Sequence, residues 1–248
     1  MASEVAAQAA ELVRASMGRA ELAGTKSTPT DVVTHTDIAS ERFIRHQLLE
    51  RCPGSSIVGE ELSDEVGGNT IGWIVDPIDG TVNFLYDLPV VSVSIAARIG
   101  PTVVAGAVAD VIRGDTFAAA IGEGATLNGH AIDVGLPAPL SQSLIGTGFS
   151  YDADTRAEQA QIVSRLLPAS RDIRCMGSAA LNLCWVGCGR LDGYYEQGTK
   201  LYDYAAAALI AVEAGAAVEL PPTNTISLVI GSRPQIFAEL RALIDPAR

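Results

Sequence analysis

The sequence predicts an α+β fold in which sheets and helices form layers, with two subdomains. Two observations lead to this class. Short strands dominate the first half of the chain, and strands alternate with helices in the second half. The 248 residues suffice for one large domain, and we expect a single domain over 1–248, with subdomains of about 1–136 and 137–248.

In the first half, two helices precede a series of strands. Composition predicts an opening helix over about residues 2–18. A second helix is expected to begin near Thr36 or Asp37, since either residue is a plausible N-cap. Asn128-Gly129 predicts a tight hairpin turn. The predicted strands are SSIVGEE, GWIVD, VVSVSIAARIG, TVVAGAVAD and TFAAAIGEG.

After about residue 137 the pattern changes to alternating elements. A strand at SLIGTGF leads to a helix from about Asp152 to Leu167, and a strand at RDIRC leads to a helix at SAALNLCWVGCG. LDGYYE is expected to be a strand, DYAAAALIAVEAGA a helix and SLVIGS a strand, followed by a last helix. This alternation is typical of a layered α/β arrangement.

Charge and hydropathy exclude several classes of function. The formal net charge is -12, from 17 basic and 29 acidic residues, and no run of Lys or Arg predicts a nucleic-acid partner. No apolar run reaches the roughly 18 residues of a membrane span, and the N-terminus lacks the pattern of a signal peptide. The four cysteines form no CxxC pair. We therefore expect a cytoplasmic protein without membrane or nucleic-acid partners.

The most informative segment is WIVDPIDGTVNF, residues 73–84. An apolar strand is expected to end at Asp76, because Pro77 cannot donate to a sheet ladder. Asp79 and Gly80 then resemble the start of a helix, where free N–H groups favour a phosphate. Two carboxylates across such a sharp turn can converge on one hard cation or on two adjacent ones.

More carboxylates follow other predicted strands. Glu60 and Glu61 close IVGEE, Glu196 closes DGYYE, and Asp203 opens the next helix. Asp-Pro and Asp-Gly are also common in surface turns, and an acidic residue in a first helical turn often serves only as a cap. Oxygen-only ligands point to magnesium or manganese rather than zinc. A cation would also let an acidic protein bind a phosphorylated substrate.

Together these segments resemble the inositol monophosphatases, within the wider group of lithium-sensitive, metal-dependent phosphatases. The resemblance runs from about Lys26 to Gly215. It implies the layered α-β-α-β-α sandwich of the inositol monophosphatase and sugar phosphatase type. The motifs that carry it are KSTPTDVVTHTD, IVGEE, WIVDPIDGTVNF, GATLNG, RCMGSAALN, DGYYE and the aspartate of LYDYAAA.

The resemblance also implies roles for individual residues. Two or three Mg²⁺ ions, with Mn²⁺ possible, would be held by Glu60, Asp76, the carbonyl of Ile78, Asp79, Asp203 and, for a weakly held outer ion, Asp37. The residues implied in catalysis are Glu60, Thr81 and Asp79, with Glu60 and Thr81 orienting the attacking water. The residues implied in substrate binding are Gly80 and Thr81 for the phosphate, and Ala179 and Glu196 for hydroxyls of the leaving alcohol.

The implied activity is magnesium-dependent hydrolysis of a small polyol phosphate by metal-activated water, with inositol 1-phosphate first. Histidinol phosphate is second, and sugar bisphosphates and 3'-phosphoadenosine 5'-phosphate stay open. A homodimer is implied by the family alone. Two features depart from the family pattern: Tyr202 stands where tryptophan is usual, and the segment 215–225 replaces a glycine-rich strand and loop.

Two other classes of protein share features with this sequence. Haloacid-dehalogenase-like phosphatases use a D-x-D-G-T aspartyl nucleophile, whereas the spacing here, D-P-I-D-G-T, is one residue longer. A non-catalytic protein that binds metal and phosphate for regulation is the remaining alternative. It would bind magnesium and phosphate esters without turnover.

Overall fold

The computed structural model describes residues 1–221 and 228–245. Strands dominate the first half, and strands alternate with helices over residues 144–213 in the second half, as the sequence pattern predicts. The helices are α1 (Ala2–Ala15), α2 (His35–Arg51), α3 (Thr81–Leu85), α4 (Ala153–Leu166), α5 (Ala179–Gly187), α6 (Leu201–Glu213) and α7 (Pro234–Ile244).

Strands of the first half form a hairpin and a seven-stranded sheet. The hairpin pairs β1 (Leu22–Thr25) with β2 (Val32–Thr34). The large sheet has the order β3-β4-β5-β6-β7-β8-β9, with β3 and β4 parallel and all other neighbours antiparallel. Its strands are β3 (Ser56–Gly59), β4 (Ile71–Asp79), β5 (Ser92–Ile99), β6 (Thr102–Asp110), β7 (Thr116–Ala120), β8 (Ala125–Leu127) and β9 (His130–Ala131).

Strands of the second half form a five-stranded mixed sheet with the order β11-β10-β12-β14-β13. Strand β10 runs parallel to both β11 and β12, so their carboxyl ends meet at one edge. Strand β14 is antiparallel to β12 and β13. The strands are β10 (Leu144–Thr147), β11 (Asp172–Cys175), β12 (Gly193–Gln197), β13 (Ala217–Glu219) and β14 (Leu228–Ser232).

Five layers result, which confirms the α-β-α-β-α sandwich. Helices α1 and α2 pack on the outer face of the seven-stranded sheet. Helices α5 and α6 lie between the two sheets, and all nine residues of α5 are buried, as expected for a helix that is apolar on every side. Helices α4 and α7 cover the other face of the five-stranded sheet. Whether the halves act as separate subdomains stays a prediction.

Helix α2 begins two or three residues earlier than predicted, so neither Thr36 nor Asp37 is its N-cap. Thr34 is the N-cap, and its hydroxyl accepts a hydrogen bond from the Asp37 backbone N–H at 3.3 Å. The Asp37 carboxylate in turn accepts from the Thr34 backbone N–H at 2.9 Å. This reciprocal capping box satisfies two donors at the helix start and fixes the boundary.

Strand β4 does not end at Asp76, which is a second correction. It continues to Asp79 through an irregularity in register, and pairing resumes where Asp79 lies opposite Ser92. A bulge of this kind tolerates Pro77, which has no N–H to donate. The two aspartates therefore lie on one irregular strand end rather than on either side of a turn.

The predicted hairpin turn at Asn128-Gly129 is confirmed, with φ of 52° and 78° at the two residues between β8 and β9. The β1–β2 hairpin was not predicted. The unusual segment 215–225 supplies β13, and its part from residue 222 onward lies outside the described residues. Within the described ranges, no helix has the length and apolarity needed to cross a membrane.

Candidate active site

A cavity of about 530 Å³ opens beside the end of β4 and the carboxyl ends of β10, β11 and β12. It collects residues from six segments that are separate in sequence. The predicted site residues that line it are Glu60, Asp76, Ile78, Asp79, Gly80, Thr81, Ala179, Glu196 and Asp203. Asp37 is the predicted site residue that the cavity lining does not include.

Four carboxylates at one end of the cavity, Glu60, Asp76, Asp79 and Asp203, are here called the acidic cluster. Burial is the main cause that raises the pKa of each of them. Repulsion between members adds to burial: the charge of Glu60 raises the pKa of both Asp76 and Asp203. Like charges crowded in a site of low polarity call for a compensating cation.

Asp79 is held as an anion by the start of α5. Its carboxylate accepts hydrogen bonds from the backbone N–H groups of Ala179 at 3.1 Å and Ala180 at 2.9 Å. The hydroxyls of Ser178 and Ser92 also donate to it. Four donors and the positive end of a helix lower the pKa of Asp79 against the effect of burial. The serines were missed in sequence, although Ser178 before an apolar run is an N-cap signal.

Glu60, which lines the cavity with Asp76, is bonded to a lysine. Burial and the charge of Glu60 together raise the pKa of Asp76. Glu60 Oε1 accepts from Lys26 Nζ at 2.7 Å, and Lys26 bonds Glu61 as well. Glu60 Oε2 is buried without a hydrogen-bond partner. The Lys26 ammonium thus pairs with two carboxylates, those of Glu60 and Glu61.

These side chains fit a hard divalent cation in their chemistry. The candidate ligand atoms are all oxygens, and one of them, Glu60 Oε2, is buried and has no hydrogen-bond partner. Across residues 1–221 and 228–245, however, no three acidic, histidine or cysteine side chains are arranged as a ready metal cluster. Asp203 and Asp79 instead accept from backbone N–H groups, Asp203 from that of Lys200.

The turn after Asp79 requires glycine. Gly80 has φ of 95°, and a Cβ there would lie 2.9 Å from the Val90 carbonyl oxygen and 3.0 Å from that of Gly177. Asn83 ties these segments together, since its amide donates to the carbonyls of Val90 at 2.8 Å and Met176 at 2.7 Å. The backbone at Gly80 is therefore open to a ligand and held in place from both sides.

Thr81 connects the cavity to Asp37. Its hydroxyl lies 3.0 Å from Asp37 Oδ1 and 3.0 Å from the carbonyl oxygen of Ile78. With one hydrogen, it donates to one of the two at a time. Asp37 is fully buried, and its Oδ2 accepts a hydrogen bond from the Thr34 backbone N–H at the start of α2. This bond fixes the carboxylate, so Asp37 Oδ1 can position the Thr81 hydroxyl. Its predicted role beside an outer metal stays a prediction.

The cavity lining also includes Glu196 and an apolar rim. Glu196 Oε2 accepts a hydrogen bond from the Tyr194 hydroxyl at 2.8 Å. Burial raises the pKa of Glu196 to about 7. Phe149, Tyr151 and Met176 line the cavity from the loops after β10 and β11. The sequence did not predict this rim, because no local sequence pattern indicates that the loops after β10 and β11 lie side by side in the folded sheet.

Known proteins match this chain along nearly its whole length. The model of the inositol monophosphatase family matches residues 1–242. An inositol-1-monophosphatase of Mycobacterium leprae is 42% identical, over 99% of this chain and 92% of that protein. The solved structure of Mycobacterium tuberculosis SuhB has a TM-score of 0.84 at 41% identity, with 99% and 94% of the two chains covered. A Pasteurella multocida protein named Nus factor SuhB is 40% identical over 81% of this chain and 76% of its own.

Fold, site and relatives define the class of protein as a phosphoric monoester hydrolase. The chain belongs to the inositol monophosphatase family. The layered fold, the acidic cavity and the family therefore agree with the resemblance that the sequence motifs indicate.

Proposed function

We propose that this protein hydrolyses inositol 1-phosphate to inositol and phosphate in a magnesium-dependent reaction. The observation that carries the proposal is one cavity that joins the acidic cluster, the Gly80-Thr81 turn and Glu196. The first suits metal ions, the second a phosphate and the third a hydroxyl-rich leaving group. Relatives at 42% identity bear the name inositol-1-monophosphatase.

The metal-holding residues in this proposal are the acidic cluster and the carbonyl of Ile78, with Asp37 near an outer ion. When bound, two or three Mg²⁺ ions would supply a water of lowered pKa and positive charge for the transferring phosphate. A bound cation would also offset the repulsion between the charges of Glu60 and Asp76.

The chain's own residues then position the reactants. The unpartnered Glu60 Oε2 can accept a hydrogen from the attacking water. The Thr81 hydroxyl, fixed between Asp37 and the Ile78 carbonyl, orients that water from the other side. Backbone N–H groups at Gly80 and Thr81 bind the phosphate oxygens.

Ala179 and Glu196 bind the alcohol that leaves. The Ala179 N–H already donates to Asp79. Ala179 therefore contacts the substrate through its methyl group, which is small enough to leave room for the alcohol. The Glu196 carboxylate accepts hydrogen bonds from ring hydroxyls. No side-chain nucleophile is needed when water attacks directly.

Histidinol phosphate is the second candidate, and the rim favours it. Phe149, Tyr151 and Met176 offer a surface on which a flat imidazole ring can stack, and Glu196 suits the amine beside it. A homodimer in the cytoplasm completes the proposal. The homodimer rests on the family resemblance, and the location on the four cysteines, which are all free thiols.

The test is phosphate release from inositol 1-phosphate, histidinol phosphate, fructose 1,6-bisphosphate and 3'-phosphoadenosine 5'-phosphate, with magnesium and with a chelator. We expect magnesium-dependent release, greatest with inositol 1-phosphate and suppressed by lithium. Greatest release from histidinol phosphate would replace the substrate but keep the mechanism. Magnesium binding without release from any ester would favour a non-catalytic role, for which the relative named Nus factor is the lead.

A further inference from the structure

Glu196, which lines the cavity, is held in place by a side chain that does not itself line it. Tyr194 and Glu196 are two residues apart on β12, so both side chains project from the same face of the sheet. The Tyr194 hydroxyl donates to Glu196 Oε2 at 2.8 Å. Tyr194 is fully buried, whereas Glu196 is partly exposed to the cavity.

The tyrosine is fixed by glycines on both neighbouring strands. Gly146 on β10 and Gly231 on β14 lie directly beside it in the sheet. A Cβ on Gly146 would lie 3.4 Å from the Tyr194 ring, and one on Gly231 would lie 2.8 Å from Leu183 of α5. Helix α5 therefore packs closely over the ring, and the hydroxyl has little freedom to move.

A third glycine sets the position of the carboxylate itself. Gly148 follows β10 at the level of Glu196, since Thr147 is paired with Tyr195 one residue earlier. A Cβ on Gly148 would lie 2.0 Å from Glu196 Oε2 and 2.2 Å from its Cδ. The Glu196 carboxylate thus occupies the space that an alanine side chain would take.

We propose that Tyr194 and Gly148 are positioning residues that set the substrate specificity of the site by holding Glu196 against the leaving group. Tyr194 donates to Oε2, and Oε1 would then accept a substrate hydroxyl. Gly148 keeps the space beside β10 free for the carboxylate in that orientation. The substrate class is a polyol monophosphate with a hydroxyl within reach of one carboxylate oxygen. This inference rests on the proposed function.

The experiment compares inositol 1-phosphate with p-nitrophenyl phosphate, which has no hydroxyl to offer to Glu196. For Tyr194→Phe we expect KM for inositol 1-phosphate to rise about 5- to 10-fold with little change in kcat. The KM for p-nitrophenyl phosphate should rise much less. Gly148→Ala should show the same selective effect more strongly, because its Cβ displaces the flexible end of Glu196.

Tyr195→Phe is the matched control. It removes a hydroxyl from the next residue of β12, which packs into the separate core on the other face of the sheet. We expect it to leave the ratio of the two KM values unchanged. Thermal unfolding of all three variants separates loss of fold from loss of specificity.

A double-mutant cycle with Glu196→Gln makes the test specific for positioning. If Tyr194 acts through Glu196, the Phe variant adds little in the Gln background. Equal KM changes for both substrates, or full additivity with Glu196→Gln, would overturn the inference. Failure of the wild-type protein to hydrolyse inositol 1-phosphate would instead overturn the proposed function, so the two failures are distinguishable.

Discussion

Asp76 and Asp79 are both proposed metal ligands, but the structure predicts opposite effects on stability when each is changed to asparagine. Asp79 accepts from four donors, including two backbone N–H groups at the start of α5. Asp76 accepts from the Ile78 N–H at 3.1 Å and otherwise faces the carboxyl of Glu60. Asparagine can keep the single bond of Asp76, but it cannot accept all four bonds of Asp79.

The magnitudes follow from these contacts. In Asp79→Asn, the new NH₂ group faces a buried N–H donor, which costs about 1–3 kcal/mol. Loss of the charge at the α5 N-terminus adds about 0.3–2 kcal/mol. The two contributions sum to about 1–5 kcal/mol, which lowers the melting temperature of a chain this size by roughly 3–20 °C. Asp76→Asn removes a like charge, so in chelator its melting temperature should equal or exceed that of the wild type.

Thermal unfolding in chelator, followed by circular dichroism, measures both variants beside the wild type. Phosphate release in magnesium should fall at least about 100-fold in each, since each loses a metal-ligand charge. Asp79→Asn as stable as the wild type would refute the assignment of Asp79 as the anion that caps α5. Near-normal turnover in Asp76→Asn would refute the metal site.

The remaining predictions concern the lysine, pH and helix packing. Lys26→Met should lower the melting temperature in chelator by roughly 3–5 °C, because the Lys26 ammonium offsets negative charge in the acidic cluster. The same variant should bind magnesium more tightly in calorimetry, because the ammonium competes with the metal ion for the carboxylates. Lys200→Met is the control, since Lys200 lines the same cavity. Carboxyls whose pKa is raised in the folded protein bind protons more readily in the folded than in the unfolded state. Stability in chelator should therefore fall as the pH rises from about 4.5 through about 7, the pKa of Glu61. A melting temperature that rises over this range would contradict the raised pKa values of these carboxyls. Gly106→Ala should lower the free energy of unfolding in denaturant by about 1–3 kcal/mol, because its Cβ would lie 2.8 Å from the Ala206 backbone. An unchanged denaturation midpoint would mean that β6 and α6 move apart easily to admit the methyl group.

Much of the fold could be predicted from sequence, because apolar periodicity and turn residues act locally. Strand β6 was predicted with its observed bounds, Thr102–Asp110, and the Asn128-Gly129 turn was found from residues that accept positive φ. The start of α2 was misplaced because Thr34, Thr36 and Asp37 are all acceptable caps in isolation. The reciprocal bonds in the folded chain select Thr34.

For the site, the sequence by itself determined which residue types come together at strand ends: carboxylates, a glycine that permits a tight turn, and a hydroxyl. It could not decide which neighbours each carboxylate has. Only the tertiary structure places Asp79 at the start of α5, about 100 residues later, and brings Tyr194 and Gly148 against Glu196. The physical reason is that burial, charge repulsion and hydrogen bonding depend on distance in space, and the crossovers between strands bring remote segments into contact.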